Sequence, residues 1–579
     1  MAESSRDLRM LLLAGAAGMF LQGVISFTAQ AQDDVSMQDR TAMEDAARGK
    51  AGSPFIPLDS WIYPAALRLH DLGYLSTLYV GLRPYTRASL AHALLLSRQS
   101  ITDEEVNYGH AEESVSLYHS LARELAPELD QLTSSRPVLE QGYVRVRGIT
   151  GPVLNDSFHL GQTYVNDYGR PFQQGFNAGA GASGYVTYGR ANLYVRGEYQ
   201  HAPGAPGYSP AVAATLAAGD GLNPAVPHFV IPAGPIPQRD QFRLLNALAS
   251  IHVAGHQIAF GRSDEWLGPA AGGSMAWSNN AEPIYAFHIN RVEPLSIPGL
   301  SRFTGPFRYE FFVGSLKGHD APNAPWVHME KASFKPTKDL EFGFARTALW
   351  GGEGHVPVTI GTFFRSFFSP AGVQPDVKGS RRDPGARFST FDFSYRIPAW
   401  GHLFTTYADS FVHDNVFPIS NPRRAAVRTG LLISRLPRAP RLDLRVEGAY
   451  TDVNDPQSTG GSFLLQEVIY KEAYTNRGFL LGDPLGRENK GGNAWLTFHR
   501  SAREDFQFEY RRVKAAKDFV PLGTTQQDIT FSARLRPSEH LEVKGSVQQE
   551  FTRAPLIDAA QRRPFGATVQ LTWFPKVVR

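Results

Sequence analysis

LEVKGSVQQEF, residues Leu541–Phe551, decides what this chain is built from. Leu541, Val543, Val547 and Phe551 fall on one side of an extended chain, and Glu542, Lys544, Ser546 and Glu550 on the other. Just upstream, Ile529, Phe531, Ala533 and Leu535 alternate in the same way with Thr530, Ser532, Arg534 and Arg536. The short turn Pro537–His540 connects the two. Period-two alternation recurs at Phe307-Tyr309-Phe311, Phe391-Phe393-Tyr395, Leu442-Leu444-Val446 and Phe565-Ala567-Val569-Leu571-Trp573. From about Val138 onward the chain reads as half-buried strands.

A soluble sandwich or propeller shows the same alternation, so the connections discriminate. Short turns at 335–338, 398–401 and 437–440 alternate with long Gly-, Pro- and Asp-rich excursions at roughly 202–241, 351–387 and 452–492. Short turns at one end and long loops at the other are the pattern of an outer-membrane barrel, with apolar residues toward lipid and polar residues toward the lumen. Counting back from the C-terminus predicts a mainly β fold, a transmembrane antiparallel β-barrel of about eighteen strands over 138–575. The count is ambiguous by one between Val138 and Tyr185. Trp573-Phe574-Pro575 is followed by a short tail, 576–579, where a bacterial barrel commonly ends on an aromatic.

Composition agrees. The 579 residues include 54 Gly and 12% aromatics, with a mean hydropathy of −0.26. A formal net charge of +3 is small for this length and argues against a nucleic-acid partner. The chain has no Cys, which excludes disulfides and thiolate metal sites. Arg6 and Arg9 precede an apolar run from Met10 to about Phe27, and Ala29-Gln30-Ala31 forms an A-x-A cleavage site. This predicts a signal peptide over 1–31 and a linker over 32–52, a membrane anchor being the other use of such a segment. After Ala31 no stretch reaches the ~18 apolar residues of a membrane helix, so a closed barrel is the remaining way into a membrane.

Residues 53–135 have a different period. Trp61, Tyr63, Ala66, Leu67, Leu69 and Leu72 share one helix face, and Gly73 stops that helix. Thr86 opens a second helix, and Thr102 with Glu105 has capping-box spacing for a third. The order Asp59, Trp61, Ala66, Leu69, Gly73, Arg83-Pro84, Thr86-Arg87 resembles one repeat of an S-layer-homology module. That resemblance implies contact with cell-wall polymers. A single copy fits equally well a compact helical bundle, periplasmic if the barrel lies in an outer membrane.

Between Gln257–Phe260 and Ile284–Phe287 runs GRSDEWLGPAAGGSMAWSNNAEP, Gly261–Pro283, which strand direction puts at the outer mouth or inside the lumen. Arg262-Ser263-Asp264-Glu265-Trp266-Leu267-Gly268-Pro269 and Ser278-Asn279-Asn280-Ala281 resemble the signature of the capsule-assembly protein Wzi family. Phe307-Arg308-Tyr309-Glu310 with Leu316-Lys317-Gly318 is similar to a further family stretch, as is Leu340–Gly343 followed by Trp350-Gly351-Gly352-Glu353-Gly354. Leu267 departs from the pattern, where a second aromatic is expected. The resemblance implies an outer-membrane barrel with a periplasmic helical bundle, acting as a lectin-like anchor for capsular or other surface polysaccharide.

Glycan binding needs aromatic faces for sugar C–H surfaces and planar polar groups for hydroxyls. Trp266, Trp277 and Trp350 offer the first; Arg262, Asp264, Glu265, Asn279, Asn280 and Glu353 offer the second, Arg262 also pairing acidic sugars. The same residues fit a structural role, with Arg262 and Asp264 as an ion pair pinning an inward-folded loop. Other motifs are weak. Gly179–Gly184 satisfies G-x-G-x-x-G without opening a helix, and Gly272–Ala276 imitates a nucleophile elbow without its strand-to-helix context. His252 and His256 form no zinc motif. Asp264 and Glu265 are adjacent and point apart, which suits glycoside cleavage poorly; Asp264 with Glu353 is the pair to measure. The sequence therefore predicts no catalytic residues, no cofactor and no metal. The partners expected are polysaccharide and outer-membrane lipid. An outer-membrane porin is the alternative, and a polysaccharide-processing enzyme the second.

Overall fold

The computed structural model describes residues 52–108, 112–129, 137–369, 377–414, 424–453 and 464–575, with side chains at 103–108 excepted. The expected signal peptide, the linker up to residue 51 and the 576–579 tail lie outside the described residues. The alternating stretches form a closed antiparallel barrel of 18 strands. In chain order they are β1 Pro137–Thr150, β2 Gly175–Tyr188, β3 Ala191–Ala202, β4 Arg239–Val253, β5 His256–Arg262 and β6 Tyr285–Arg291. There follow β7 Phe307–Ser315, β8 Trp326–Phe334, β9 Leu340–Trp350, β10 Ala386–Arg396, β11 Phe404–His413 and β12 Ala426–Ile433. The last six are β13 Leu442–Tyr450, β14 Asn489–Ser501, β15 Glu504–Ala515, β16 Thr525–Ser538, β17 Leu541–Ala554 and β18 Phe565–Trp573. A short strand, Asp558–Arg562, extends the β17–β18 connection. β1 closes the ring by pairing with β18 from Gly142↔Trp573 to Thr150↔Phe565. It also pairs with β2 from Pro137↔Val186 to Ile149↔Gly175, which resolves the ambiguity at the start of the count.

Burial along these strands is the inverse of a soluble protein's. In LEVKGSVQQEF, Leu541 and Val547 are exposed while Glu542 and Glu550 are almost wholly buried. Val144, Leu193, Phe242, Phe260, Leu431, Phe531 and Leu571 likewise face outward, against inward Arg196, Asn246, Arg428 and Asp528. An apolar outer wall around a charged interior is what a bilayer requires of a barrel. Near the long-loop end, part of the outer wall is covered by the helix Ile360–Phe368. Arg346 on β9 donates to the helix's closing carbonyls, Phe367 O at 2.7 Å, Ser366 O at 2.8 Å and Ser369 O at 3.0 Å.

The N-terminal helices are α1 Ile62–Asp71, α2 Arg87–Tyr108, α3 Glu112–Glu124 and α4 Ala126–Leu129. They share a core of Trp61, Ala66, Leu69, Leu90, Leu94, Leu117 and Leu121. The Thr86 hydroxyl accepts from Ser89 N at 3.1 Å and so opens α2 as expected. Thr102 does not open a helix: α2 runs through it, and its hydroxyl donates to Arg98 O at 2.6 Å. Nothing in Ala88–Thr102 breaks a helix, so the preceding turn satisfies that hydroxyl without a new cap.

The bundle sits at the short-turn end, where inward-facing wall residues cap its backbone. Glu341 accepts from Val80 N at 2.8 Å and Gly81 N at 2.9 Å; Lys335 donates to Leu78 O at 2.7 Å. Arg396 donates to His70 O and Tyr74 O, and Arg196 pairs with Asp59 at 2.7 Å. Much of the wall's charge thus serves to bind this segment rather than water.

Candidate functional site

From the opposite end the loop Ser263–Ile284 folds into the lumen, and its glycines are explained by how closely the wall approaches. Gly261, with φ of +140°, leaves β5 where a Cβ would stand 1.9 Å from Ala247 O. At Gly272 and Gly273 a Cβ would strike the side chains of Arg428 and Asp483, at 2.7 and 2.9 Å. Wall carboxylates grip the bared backbone. Glu447 on β13 accepts from Ala271 N at 2.7 Å and Gly272 N at 3.0 Å, and Asp409 on β11 accepts from Met275 N at 2.7 Å.

Two further inward segments meet the loop. Tyr168 N and Gly169 N, from the excursion between β1 and β2, donate to Asn279 O and Asn280 O at 2.8 and 3.0 Å. Ser278 N donates to Leu481 O at 2.7 Å, in the excursion between β13 and β14. An apolar cluster with Leu267, Met275, Trp277, Phe312, Tyr474 and Leu481 fills the space between them.

Most of the residues singled out in the sequence are parts of this packing. Asp264 is buried and accepts from Leu58 N at 2.9 Å, Tyr168 Oη at 2.9 Å and Asn246 Nδ2 at 2.7 Å. Burial pushes its carboxyl above the ordinary range. Arg262 does not pair with Asp264. Its Nη2 lies 3.2 Å from Glu282 and its Nε donates to Pro283 O at 3.0 Å, because β5 and β6 bring the two ends of the loop together. Trp266 exchanges two backbone hydrogen bonds with Arg83, whose guanidinium lies 5.1 Å from the ring centre, and its Nε1 donates to Ala270 O.

Trp277 packs edge-on to Phe312 with ring centres 4.9 Å apart, and Asn280 Nδ2 donates to Leu480 O at 3.1 Å. Trp350 lies among Trp326, His328 and Phe363 on the outer wall. Trp266, Trp277 and Trp350 are 7%, 4% and 2% exposed, so none offers an open ring face. Asn279 is half-buried, and Glu353 is exposed, accepting from Asn323 Nδ2 at 2.9 Å. Asp264 and Glu353 therefore share no partner and do not form a facing pair. Gly179–Gly184 lies within β2, where a Cβ at Gly181 would meet Tyr143.

Glu265, also buried, faces His288 Nδ1 at 3.5 Å, with Glu310 on the same imidazole at 3.7 Å. Burial, then the charges of Glu310 and Asp264, push Glu265 well above the carboxylate range. A second group near the loop surface, His228, Asp320 and Glu472, has its ligand atoms within 4.8 Å of one another.

Sequence reasoning missed the arginines gathered on Glu282. Arg243 Nη2 bonds its carboxylate, Arg262 lies at 3.2 Å and Arg477 Nε at 2.6 Å, leaving three cations on one buried anion. Arg477 is 58% exposed at the long-loop end, and beside it are exposed Phe229 and Lys317. A carboxylate directly before Pro283, two residues ahead of β6, was the one local signal.

Comparison with known proteins places this architecture. The model of the capsule assembly protein Wzi family matches residues 145–565. Among solved structures, the chain aligns with Wzi, described as an outer membrane protein involved in Group 1 capsule assembly in Escherichia coli and as a carbohydrate-binding β-barrel. Identity is 16%, coverage 90% of this chain and 99% of that one, and the TM-score 0.60. The outer membrane protein OprD from Pseudomonas aeruginosa aligns at 9% identity over 75% of this chain and 93% of that one, with a TM-score of 0.39, a likeness too weak to build on. No curated protein matches the sequence. With well over half its length matched, the chain belongs to the capsule assembly protein Wzi family.

Proposed function

We propose that this protein is an outer-membrane, non-enzymatic carbohydrate-binding barrel that holds capsular or another surface polysaccharide at its long-loop face. The helical bundle lies on the periplasmic side. The observation that carries this reading is the cationic surface at Arg477, Phe229 and Lys317, which rests on the excess of arginine over carboxylate at Glu282. An exposed ring suits sugar C–H surfaces, and an arginine beside it suits a uronic-acid carboxylate. The Gly261–Pro283 residues act beneath it, organising the loop on which the surface stands; among the residues expected from sequence, Glu353 is the one open to a glycan hydroxyl.

The test is the partition of surface polysaccharide between cells and medium in a deletion strain, restored with wild type or Arg477→Ala. Glycan that is still made but released, and retained again by wild type better than by the variant, supports anchoring. An unchanged partition, with steady currents from the purified protein in planar bilayers, would favour a channel instead.

A further inference from the structure

Glu265, His288 and Glu310 converge inside the barrel where the inward loop meets β6 and β7. All three are buried, at 5%, 4% and 2% exposure, and one ligand atom from each lies within 4.8 Å of the others. His288 Nδ1 stands 3.5 Å from Glu265 Oε1 and 3.7 Å from Glu310 Oε1, long for hydrogen bonds. Two ligands about 2.1 Å from a tetrahedral cation stand about 3.4 Å apart, which is nearly this spacing.

The surroundings compensate the carboxylates only in part: Ser263 lies within hydrogen-bonding reach of Glu265 and the charge of Arg308 acts on Glu310, but one oxygen of each carboxylate is left over. Glu265 Oε2 and Glu310 Oε2 are buried without a hydrogen-bond partner, as is Asn290 Nδ2 opposite Glu310 across β6–β7. Lys331, opposite Glu310 across β7–β8, gives its ammonium to Asp392 and to Leu267 O. Arg308 donates to Arg291 O and Asn290 Oδ1. Two like charges this close and this dry need either a shared proton or a cation.

We infer that Glu265, His288 and Glu310 bind one divalent first-row cation, of the zinc or manganese kind, that fastens the inward loop to the barrel wall. One imidazole and two carboxylates form a hard-to-borderline donor set with no thiolate, which suits those ions. His288 and Glu310 come from paired strands and Glu265 from the loop, so the ion bridges wall and plug. The inference is independent of the glycan reading, since it concerns what holds the loop.

The experiment uses the full mature protein, purified in detergent with a histidine-free tag, stripped with chelator and titrated with Zn2+ and then Co2+. Wild type is expected to take up one equivalent of Zn2+ by elemental analysis and to show visible d–d absorption with Co2+. Glu310→Gln and Glu265→Gln are expected to weaken binding by more than the ~10–100-fold that loss of an outer-shell partner costs. His288→Cys, with a folded barrel verified by heat-modifiable gel mobility, is expected to add a thiolate-to-cobalt charge-transfer band. That band does not depend on any stability change. Absence of metal uptake by folded wild type overturns the inference and leaves a proton shared by the two carboxyls. Equal uptake by wild type and all three variants also overturns it, placing the ion elsewhere.

Discussion

Glu447→Ala tests the view that wall carboxylates hold the inward loop. Glu447 accepts from Ala271 N at 2.7 Å, Gly272 N at 3.0 Å, Tyr407 Oη at 2.7 Å and Arg428 Nη1 at 3.0 Å. Truncation leaves these donors in a buried site, and an orphaned buried group costs about 1–3 kcal/mol. Breaking a buried ion pair costs about 3–5 kcal/mol. Arg428 keeps Asp483 at 2.8 Å, so its charge is not abandoned and the lower figure applies. A loss of about 3 kcal/mol at about 1.4 kcal/mol per factor of ten raises the open fraction of the loop on the order of 100-fold. Hydrogen exchange of the purified barrel reads this directly: amides of Ala271–Met275 are expected to exchange faster by that order while the β13 and β14 amides keep their protection. Glu353→Ala, which removes one exposed hydrogen bond, is the control and is expected to change neither. Unchanged protection at Ala271–Met275 in a folded E447A barrel refutes the reasoning, because the loop is then held by something other than its wall contacts.

Three further outcomes follow from the geometry. His159 lies between Asp156 and Asp220 at 2.9 and 2.7 Å; burial alone would lower its pKa, but the two carboxylates outweigh it and push it up to about 9. A value above the unfolded one of about 6.5 means that this stabilisation is complete at lower pH and lost as pH rises through the folded value. The protection of amides in the helix Pro210–Gly219, taken relative to the base-catalysed intrinsic exchange rate, is therefore expected to fall between about pH 7 and pH 10, and protection that stays constant over that range speaks against the pair. Gly181→Ala places a Cβ 2.7 Å from Gly197 O and 2.6 Å from Tyr143 Cζ, at a cost of about 1–3 kcal/mol, read as a smaller folded fraction by heat-modifiable mobility; wild-type yield would show that the strands can part there. Trp266→Ala is expected to lower glycan retention in step with loop protection, whereas Arg477→Ala lowers retention with protection intact; the reverse order would move the glycan contact into the loop.

How much of this was legible depended on the range of the forces involved. The wall was readable because each strand must present alternate residues to lipid and lumen, so Leu541 and Glu542 carry their environments in their own chemistry. The helices were readable from Trp61, Ala66 and Leu69 on one stripe. Thr102 misled because a Thr with Glu three residues on looks the same in mid-helix as at a start, and only the unbroken run before it distinguishes the two. The site was harder. Asp264 was visible as a carboxylate, but its partners Leu58, Tyr168 and Asn246 come from three distant segments, and no local pattern encodes them. Arg262 finds Glu282 rather than Asp264 because the flanking strands pair Arg262 with Tyr285, a consequence of register that composition does not carry. The tryptophans marked aromatic packing but carried no sign of its direction, since a ring that stacks on sugar and a ring that fills a lumen have the same letter; all three are buried.

The contact between Arg83 and Trp266 makes the two ends of the barrel one mechanical unit. Arg83 belongs to the helical segment at the short-turn end, and Trp266 to the loop that descends from the long-loop end. Their backbones exchange hydrogen bonds at 3.1 and 3.0 Å, and Arg83 Nη2 reaches Gly268 O at 3.0 Å. Two mobile pieces in an open lumen would not hold such a bridge, because each would have to be ordered at its own entropic cost. Here each is held by wall contacts of its own, the helical segment by Glu341 and Lys335, the loop by Glu447 and Asp409. The bridge then joins two segments each held by the wall, which gives the outer loops a contact path to the helices through the lumen as well as through the wall. For a barrel whose proposed task is to retain a long polymer outside the cell, that second path has a mechanical use which a hollow channel would lack.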